Sequence, residues 1–181
     1  MKYNYLLFES IERQYLVFNW DKIKSTKRIF ITGYSGSGKS TLASKFARKY
    51  NLPVYCTDYF YNHLSDNKIK KKIEESEKNN DEKTINDLYG DHLHKLFEHN
   101  KKGIFEGVHI MNYVGYTENY PTLIIQYPIL ASTFKAYKRD NLSIKQLMYR
   151  ISDNMRGRNF LKKFIDAKKK MTDNFQVLNE I

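Results

Sequence analysis

Apolar positions fall along this chain in two rhythms. Four short runs are mostly apolar and are bounded by turn-forming or charged residues. They are Arg28-Ile29-Phe30-Ile31-Thr32, Val54-Tyr55-Cys56-Thr57, Gly103-Ile104-Phe105-Glu106 with an exit turn running to Ile110, and Thr122-Leu123-Ile124-Ile125-Gln126 between Pro121 and Pro128. Runs of this length and composition predict buried strands. Phe175-Gln176-Val177-Leu178 predicts a fifth, shorter one. Between the strands the spacing is helical. In residues 41–50, Leu42, Phe46 and Ala47, or Ala43, Phe46 and Tyr50, share one face. Residues 62–100 are polar, with sparse anchors at Ile73, Ile85, Leu88, Leu93, Leu96 and Phe97. They predict two helices joined near Asn79-Asn80-Asp81, the first mostly exposed. A short helix is expected over residues 132–140, and Ser143 with Gln146 forms a capping box that starts another. Gly157 reads as a hinge or break in it. Residues 1–26 read two ways. Leu7, Phe8, Ile11, Tyr15 and Phe18 have helical spacing, yet residues 3–8 and 15–20 equally suit two strands.

The turn between the first strand and first helix carries the chemistry. Gly33, Gly38, Lys39 and Ser40 match G-x-x-x-x-G-K-[ST] in full, with Gly36 a further glycine inside the loop, and strand, Gly-rich turn and helix follow in the order the motif requires. Glycines at these positions let the backbone wrap an anion with its N–H groups pointing inward, at the positive end of a helix. Gly33, Ser35, Gly36, Ser37, Gly38, Lys39, Ser40 and Thr41 are therefore the candidate nucleotide-phosphate ligands. Lys39 adds a point charge at the β- and γ-phosphates, and the Ser40 hydroxyl is suited to Mg²⁺.

Two carboxylates end predicted strands. In a parallel α/β sheet, ligands bind off the carboxyl ends of the strands, so Asp58 and Glu106 are expected beside the phosphates. Asp58 suits a general base or a partner to Mg²⁺; the competing assignment is a helix N-cap. Glu106 suits a metal or acceptor ligand, against a turn cap. Arg139, Arg150, Arg156 and Arg158 lie after the fourth strand, where a basic segment could close over a triphosphate. Against that stands a plain basic surface. His92, His94 and His99 lack metal-ligand spacing.

Bulk properties narrow the class. At 181 residues and 41% hydrophobic content, the chain is expected to form one globular domain. Its single cysteine, Cys56, cannot form an internal disulfide, and no run is long enough for a membrane span or an export signal, so a cytoplasmic protein is expected. The net charge is +11 and is uneven: residues 62–102 balance nine basic against nine acidic side chains, whereas residues 131–181 hold twelve against five. That favours polyanionic ligands, nucleotides or nucleic acid, or a lysine-rich solvated surface.

Taken together, the phosphate loop at 33–41, the Asp58-Tyr59-Phe60-Tyr61 segment, Glu106-Gly107 at a strand end and Lys138-Arg139-Asp140 after the fourth strand resemble the P-loop kinase family of small nucleoside and nucleotide kinases. The pattern is that of uridine kinase and its relatives, including polynucleotide-kinase-like proteins. The resemblance implies a three-layer α/β P-loop NTPase fold, a five-stranded parallel sheet in the order 2-3-1-4-5 with helices on both faces. It implies ATP and Mg²⁺ as cofactors and transfer of the γ-phosphate to a nucleoside- or nucleotide-like acceptor. Lys39, Asp58, Arg139, Arg156 and Arg158 would act in transfer. Asp58, Tyr61 and Glu106 would bind the acceptor, and Ser40, Asp58 and Glu106 would hold the metal. Residues 1–26 would be an extension, 62–100 the helical acceptor-binding region and 139–160 a lid. Glu106 departs from the aspartate many P-loop ATPases have at that strand, and no arginine occurs between 62 and 100, where nucleoside-monophosphate kinases usually grip the acceptor phosphate. Two other readings remain: a polynucleotide 5′-hydroxyl kinase, supported by the basic C-terminal third, and a nucleotide-binding regulatory or assembly module with little turnover.

Overall fold

The computed structural model describes residues 13–57, 67–79, 81–112 and 114–181. Its elements in chain order are β1 (Gln14–Phe18), β2 (Arg28–Gly33), α1 (Lys39–Tyr50), β3 (Val54–Cys56), α2 (Asn67–Lys78), α3 (Glu82–His99), β4 (Gly103–Glu106), the one-turn α4 (Val114–Thr117), β5 (Thr122–Gln126), α5 (Ile129–Asp140), α6 (Ile144–Met171) and β6 (Phe175–Leu178). The predicted pair of helices after the phosphate loop is present, and Asp81 caps the second by accepting from the Thr84 N–H at 3.1 Å. The Ser143–Gln146 capping box forms as its sequence requires. Gly157 is neither hinge nor break: α6 runs through it without interruption for 28 residues. Leu161 and Phe164, one turn and two turns on, are buried in the core and hold the helix to the sheet, and this outweighs the modest helix cost of one glycine.

Among the described residues the sheet has six strands, in the order β3-β4-β2-β5-β1-β6. The five expected strands keep the expected order, but the sheet is neither five-stranded nor wholly parallel. β1 is inserted between the fourth and fifth of them and pairs antiparallel with both, Gln14 opposite Gln126 and Phe18 opposite Phe175. Burial explains the place it takes. Leu16, Val17 and Phe18 are all buried, so β1 needs a neighbour on each side and cover on each face. β6, with Val177 and Phe175 exposed, tolerates the edge. Of the two readings of the N-terminal segment, residues 14–18 form a strand; residues 1–12 lie outside the described part.

The pleat divides the core in two. Phe30, Phe105, Ile124, Leu16 and Phe18 face one layer, against Leu93 and Phe97 of α3 and Leu161 and Phe164 of α6. Ile29, Ile31, Ile104, Leu123, Ile125 and Val17 face the other, against Leu42, Ala43 and Phe46 of α1. Successive residues thus serve opposite faces, the period of two that a strand imposes. Arg28, almost wholly buried, closes the first layer. Its guanidinium donates to the carbonyls of Lys101 and Asn100, filling acceptors at the α3 C-terminus, and stacks over Tyr120.

One buried charge has a measurable consequence. Lys168 of α6 is fully enclosed, donating from Nζ to the Thr117 carbonyl at 2.7 Å above the Phe18 ring. Burial lowers its pKa from 10.5 to about 8. Below pH 8 the ammonium is charged in both folded and unfolded chains and the burial cost is constant. Between about pH 8 and 10.5 the folded chain sheds the proton first, so folding becomes more favourable as pH rises. Chemical denaturation across this range should therefore show the wild type gaining stability relative to Lys168→Met, with a flat difference below pH 8.

Candidate phosphate-binding site

The loop between β2 and α1 is built around its glycines. Gly36 has φ +79° and Gly38, the N-cap of α1, has φ +100°, both in the region side chains avoid. Gly36 also lies hard against α5: a Cβ there would stand 2.0 Å from the Ser132 carbonyl oxygen. No other residue fits without moving the loop or the helix. Inside the loop the Tyr34 carbonyl accepts from the Ser37 N–H at 3.1 Å and from Lys39 Nζ at 3.0 Å, which turns the lysine back over its own loop. Lys39 is 6% exposed. Ser37 Oγ is buried without a hydrogen-bond partner and packs toward Gly33, where a Cβ would stand 2.9 Å from it. Ser35 is half-buried and Thr41 is exposed on the first turn of α1.

The next strands bring a carboxylate to the same edge. β4 is parallel to β2, with Ile31 opposite Glu106, and the Gly107 N–H donates to the Ile31 carbonyl at 3.1 Å. Thr32 Oγ1 donates to the Gly107 carbonyl at 2.9 Å. These bonds fix Glu106 beside the loop, where its Oε1 accepts from Ser40 Oγ at 3.0 Å. Glu106 is 2% exposed and its Oε2 has no partner. A hydroxyl and a buried carboxylate with a spare lone pair form a hard-oxygen donor set that fits Mg²⁺. β3 ends next door: the Thr57 N–H donates to the Glu106 carbonyl at 2.7 Å. Asp58 and Tyr61, both expected at this edge, lie outside the described residues.

The arginines divide. Arg139, at the end of α5, is engaged by Asp140 with contacts of 2.6 and 2.9 Å, and Arg150 meets the same carboxylate at 3.0 Å. These partners hold the Asp140 carboxyl below its usual pKa, the Arg139 hydrogen bond most of all. Arg158 lies instead near the loop. It lines a cavity of about 640 Å³ with Tyr34, Gln14, Gln126, Ile129 and Met155 among others. Burial raises the Tyr34 phenol's pKa, and the Arg158 charge partly offsets it. Arg156 lies on the same helix, α6. The segment 139–160 thus consists of the end of α5, a turn and the first half of α6. His94 is hydrogen-bonded to the Tyr116 hydroxyl, and among the described residues no cluster of metal-ligating side chains of three or more occurs.

Two contributors to this edge escaped the sequence reading. Gln14 lines the cavity, and the guanidinium of Arg13 stands against Gly38. Nothing in the local pattern marks them. They reach the site only because β1 inserts antiparallel, so its first residues emerge where the parallel strands end.

A solved structure described as TT1252 from Thermus thermophilus superposes with a TM-score of 0.51, at 20% identity, over 76% of this chain and 84% of that one, a likeness of fold. A shikimate kinase from Bacteroides thetaiotaomicron is 54% identical over 33 residues, 18% of this chain, so the match spans about a fifth of that relative's length. The sequence model of the AAA domain family matches residues 32–126, from the end of β2 to the end of β5. That is more than half of the chain and contains the phosphate loop and Glu106, and the chain belongs to this AAA domain family, whose kinase-like P-loop type it shares.

Proposed function

We propose that this protein is an ATP-dependent phosphotransferase that moves the γ-phosphate to a hydroxyl or phosphate of a small, nucleoside- or nucleotide-like acceptor. The observation that carries the reading is the convergence, at one sheet edge, of a glycine-built loop with an unpartnered buried Ser37 hydroxyl and a Ser40–Glu106 pair with an unpartnered buried oxygen. The partial match to a shikimate kinase supports a small-molecule acceptor.

In this reading the loop amides from Gly33 to Thr41 and Lys39 hold the phosphates. Ser40 and Glu106 would hold Mg²⁺, which would supply positive charge against the negative charge of the phosphates. The cavity beside Tyr34 is within the size range of small-molecule sites and receives the nucleoside end of ATP, with the amides of Gln14 and Gln126 at its polar margin. Arg158 closes that side and offsets negative charge; Arg156 lies on the same helix, and Arg139 serves only if it leaves Asp140. Asp58, two residues after the end of β3, takes the proton of the acceptor hydroxyl, with Tyr61 beside the acceptor. Residues 62–100 bind the acceptor. Phosphoryl transfer asks little covalent chemistry of the protein, and this inventory supplies positioning and charge.

The test of the base is Asp58→Asn. It should bind ATP as the wild type does while phosphate transfer falls by about 10²-fold or more. Turnover at the wild-type rate would remove Asp58 from the mechanism.

A further inference from the structure

The strand that the sequence left ambiguous places a cation on the phosphate loop. β1 pairs with β5 from Gln14–Gln126 to Phe18–Thr122, so Arg13 leaves the sheet at its ligand-binding edge. The Arg13 Cζ lies 3.4 Å, and its two terminal nitrogens 3.5 and 3.6 Å, from the point that a Cβ on Gly38 would occupy. The Cζ of the same guanidinium lies over the Tyr127 ring, 5.3 Å from its centroid. Its Nε is buried and has no hydrogen-bond partner. Lys135 Nζ stands 4.8 Å from the same ring, so a second cation gathers on this side of the loop.

A half-buried arginine with an unsatisfied nitrogen, set over an aromatic ring and pressed against an anion-binding loop, lacks one thing, an oxyanion. A guanidinium is the side chain best matched to phosphate, through paired N–H donors. We propose that Arg13 contacts the phosphate chain of the bound nucleotide, so that the N-terminal strand supplies the site with an arginine alongside any from α5 or α6. The inference rests on reading the loop as a nucleotide site. It also gives the inserted strand a second role: besides joining β5 to β6, it delivers Arg13 and Gln14 to the working edge of the sheet.

The test is calorimetric titration of the full chain with ATP, ADP and AMP, for the wild type, Arg13→Gln and Arg13→Lys, alongside melting of each protein without nucleotide. A hydrogen bond to a charged group is worth enough to change affinity about ten-fold or more. Arg13→Gln should weaken ATP binding by at least that factor, ADP less and AMP least. Arg13→Lys should recover part of the loss, and neither should shift the nucleotide-free melting point by more than about two degrees. The proposal is overturned if Arg13→Gln binds ATP as the wild type does. It is also overturned if all three nucleotides weaken equally with a lowered melting point, since that marks a structural prop. A wild type that binds no ATP would remove the nucleotide-site reading and this inference with it. Wild-type binding with an indifferent Arg13→Gln would remove this inference alone.

Discussion

Replacing Lys39 with alanine is expected to cut phosphate transfer by about 10²–10³-fold and to weaken ATP binding sharply, with little change in the fold. The two halves of this expectation come from different contacts. Lys39 is buried against the loop, and in the proposed site its ammonium is the one full positive charge that the motif would offer the phosphates. In a site shielded from water, such a charge acts at low effective dielectric and has far more effect than at a surface. At the Tyr34 carbonyl the contact is replaceable: that oxygen accepts from Lys39 Nζ and also from the Ser37 N–H, so alanine leaves no orphaned acceptor there. Nucleotide titration and thermal melting of the same sample would separate the effects. Intact binding would show that the loop has the form of a phosphate cradle without the use of one.

The second large effect belongs to Glu106. Glu106→Gln keeps the size and an oxygen to accept from Ser40, and removes only the charge. Transfer should fall by about 10²-fold and need more Mg²⁺ to saturate, while ATP binding without Mg²⁺ should persist. Stability should move the other way. The wild type buries a carboxylate oxygen with no partner, an arrangement that costs free energy and is kept where function needs it. The glutamine variant should therefore melt no lower than the wild type. A merely structural glutamate would give the opposite pair of results, a lower melting point with an unchanged Mg²⁺ response.

The parts of this molecule legible in its sequence are those whose causes are local. The glycines of the loop state their backbone conformation in their identity, and the φ values of Gly36 and Gly38 follow. Ser143 and Gln146 cap α6 through bonds three residues apart, and Asp81 does the same for α3. Strands β2, β4 and β5 are nearly all apolar because helices cover both of their faces. What was hidden depends on distant partners. Residues 15–18 are apolar throughout and suit a helical face as well as a strand, and the choice of strand is made by β5 and β6, more than a hundred residues away. The same pairing hid Arg13 and Gln14. Gly157 signalled a break that burial of Leu161 and Phe164 overrode. The resemblance made Arg139 a lid residue, a role outside the reach of local spacing, and the adjacent Asp140 offers its guanidinium a carboxylate at no loop-closure cost. The remaining chemistry expected at the edge, Asp58 and Tyr61, lies in a part of the chain outside the described residues.

Among the described residues no helix is long and apolar enough to cross a membrane, and the excess of positive charge lies in the segment that forms α5 and α6. A 5′-hydroxyl end of nucleic acid is therefore a reasonable acceptor to include in any assay, and binding through that surface would weaken steeply with salt.

The most direct test is transfer from γ-labelled ATP with Mg²⁺. The panel would hold nucleosides, nucleoside monophosphates, other small hydroxylated acceptors and 5′-hydroxyl oligonucleotides, with Lys39→Ala as the blank. The account predicts label on one class of small acceptor, absent with the Lys39 variant. Label released only as free phosphate, or ATP bound without turnover across the whole panel, would contradict it and leave a nucleotide-binding module in place of a kinase.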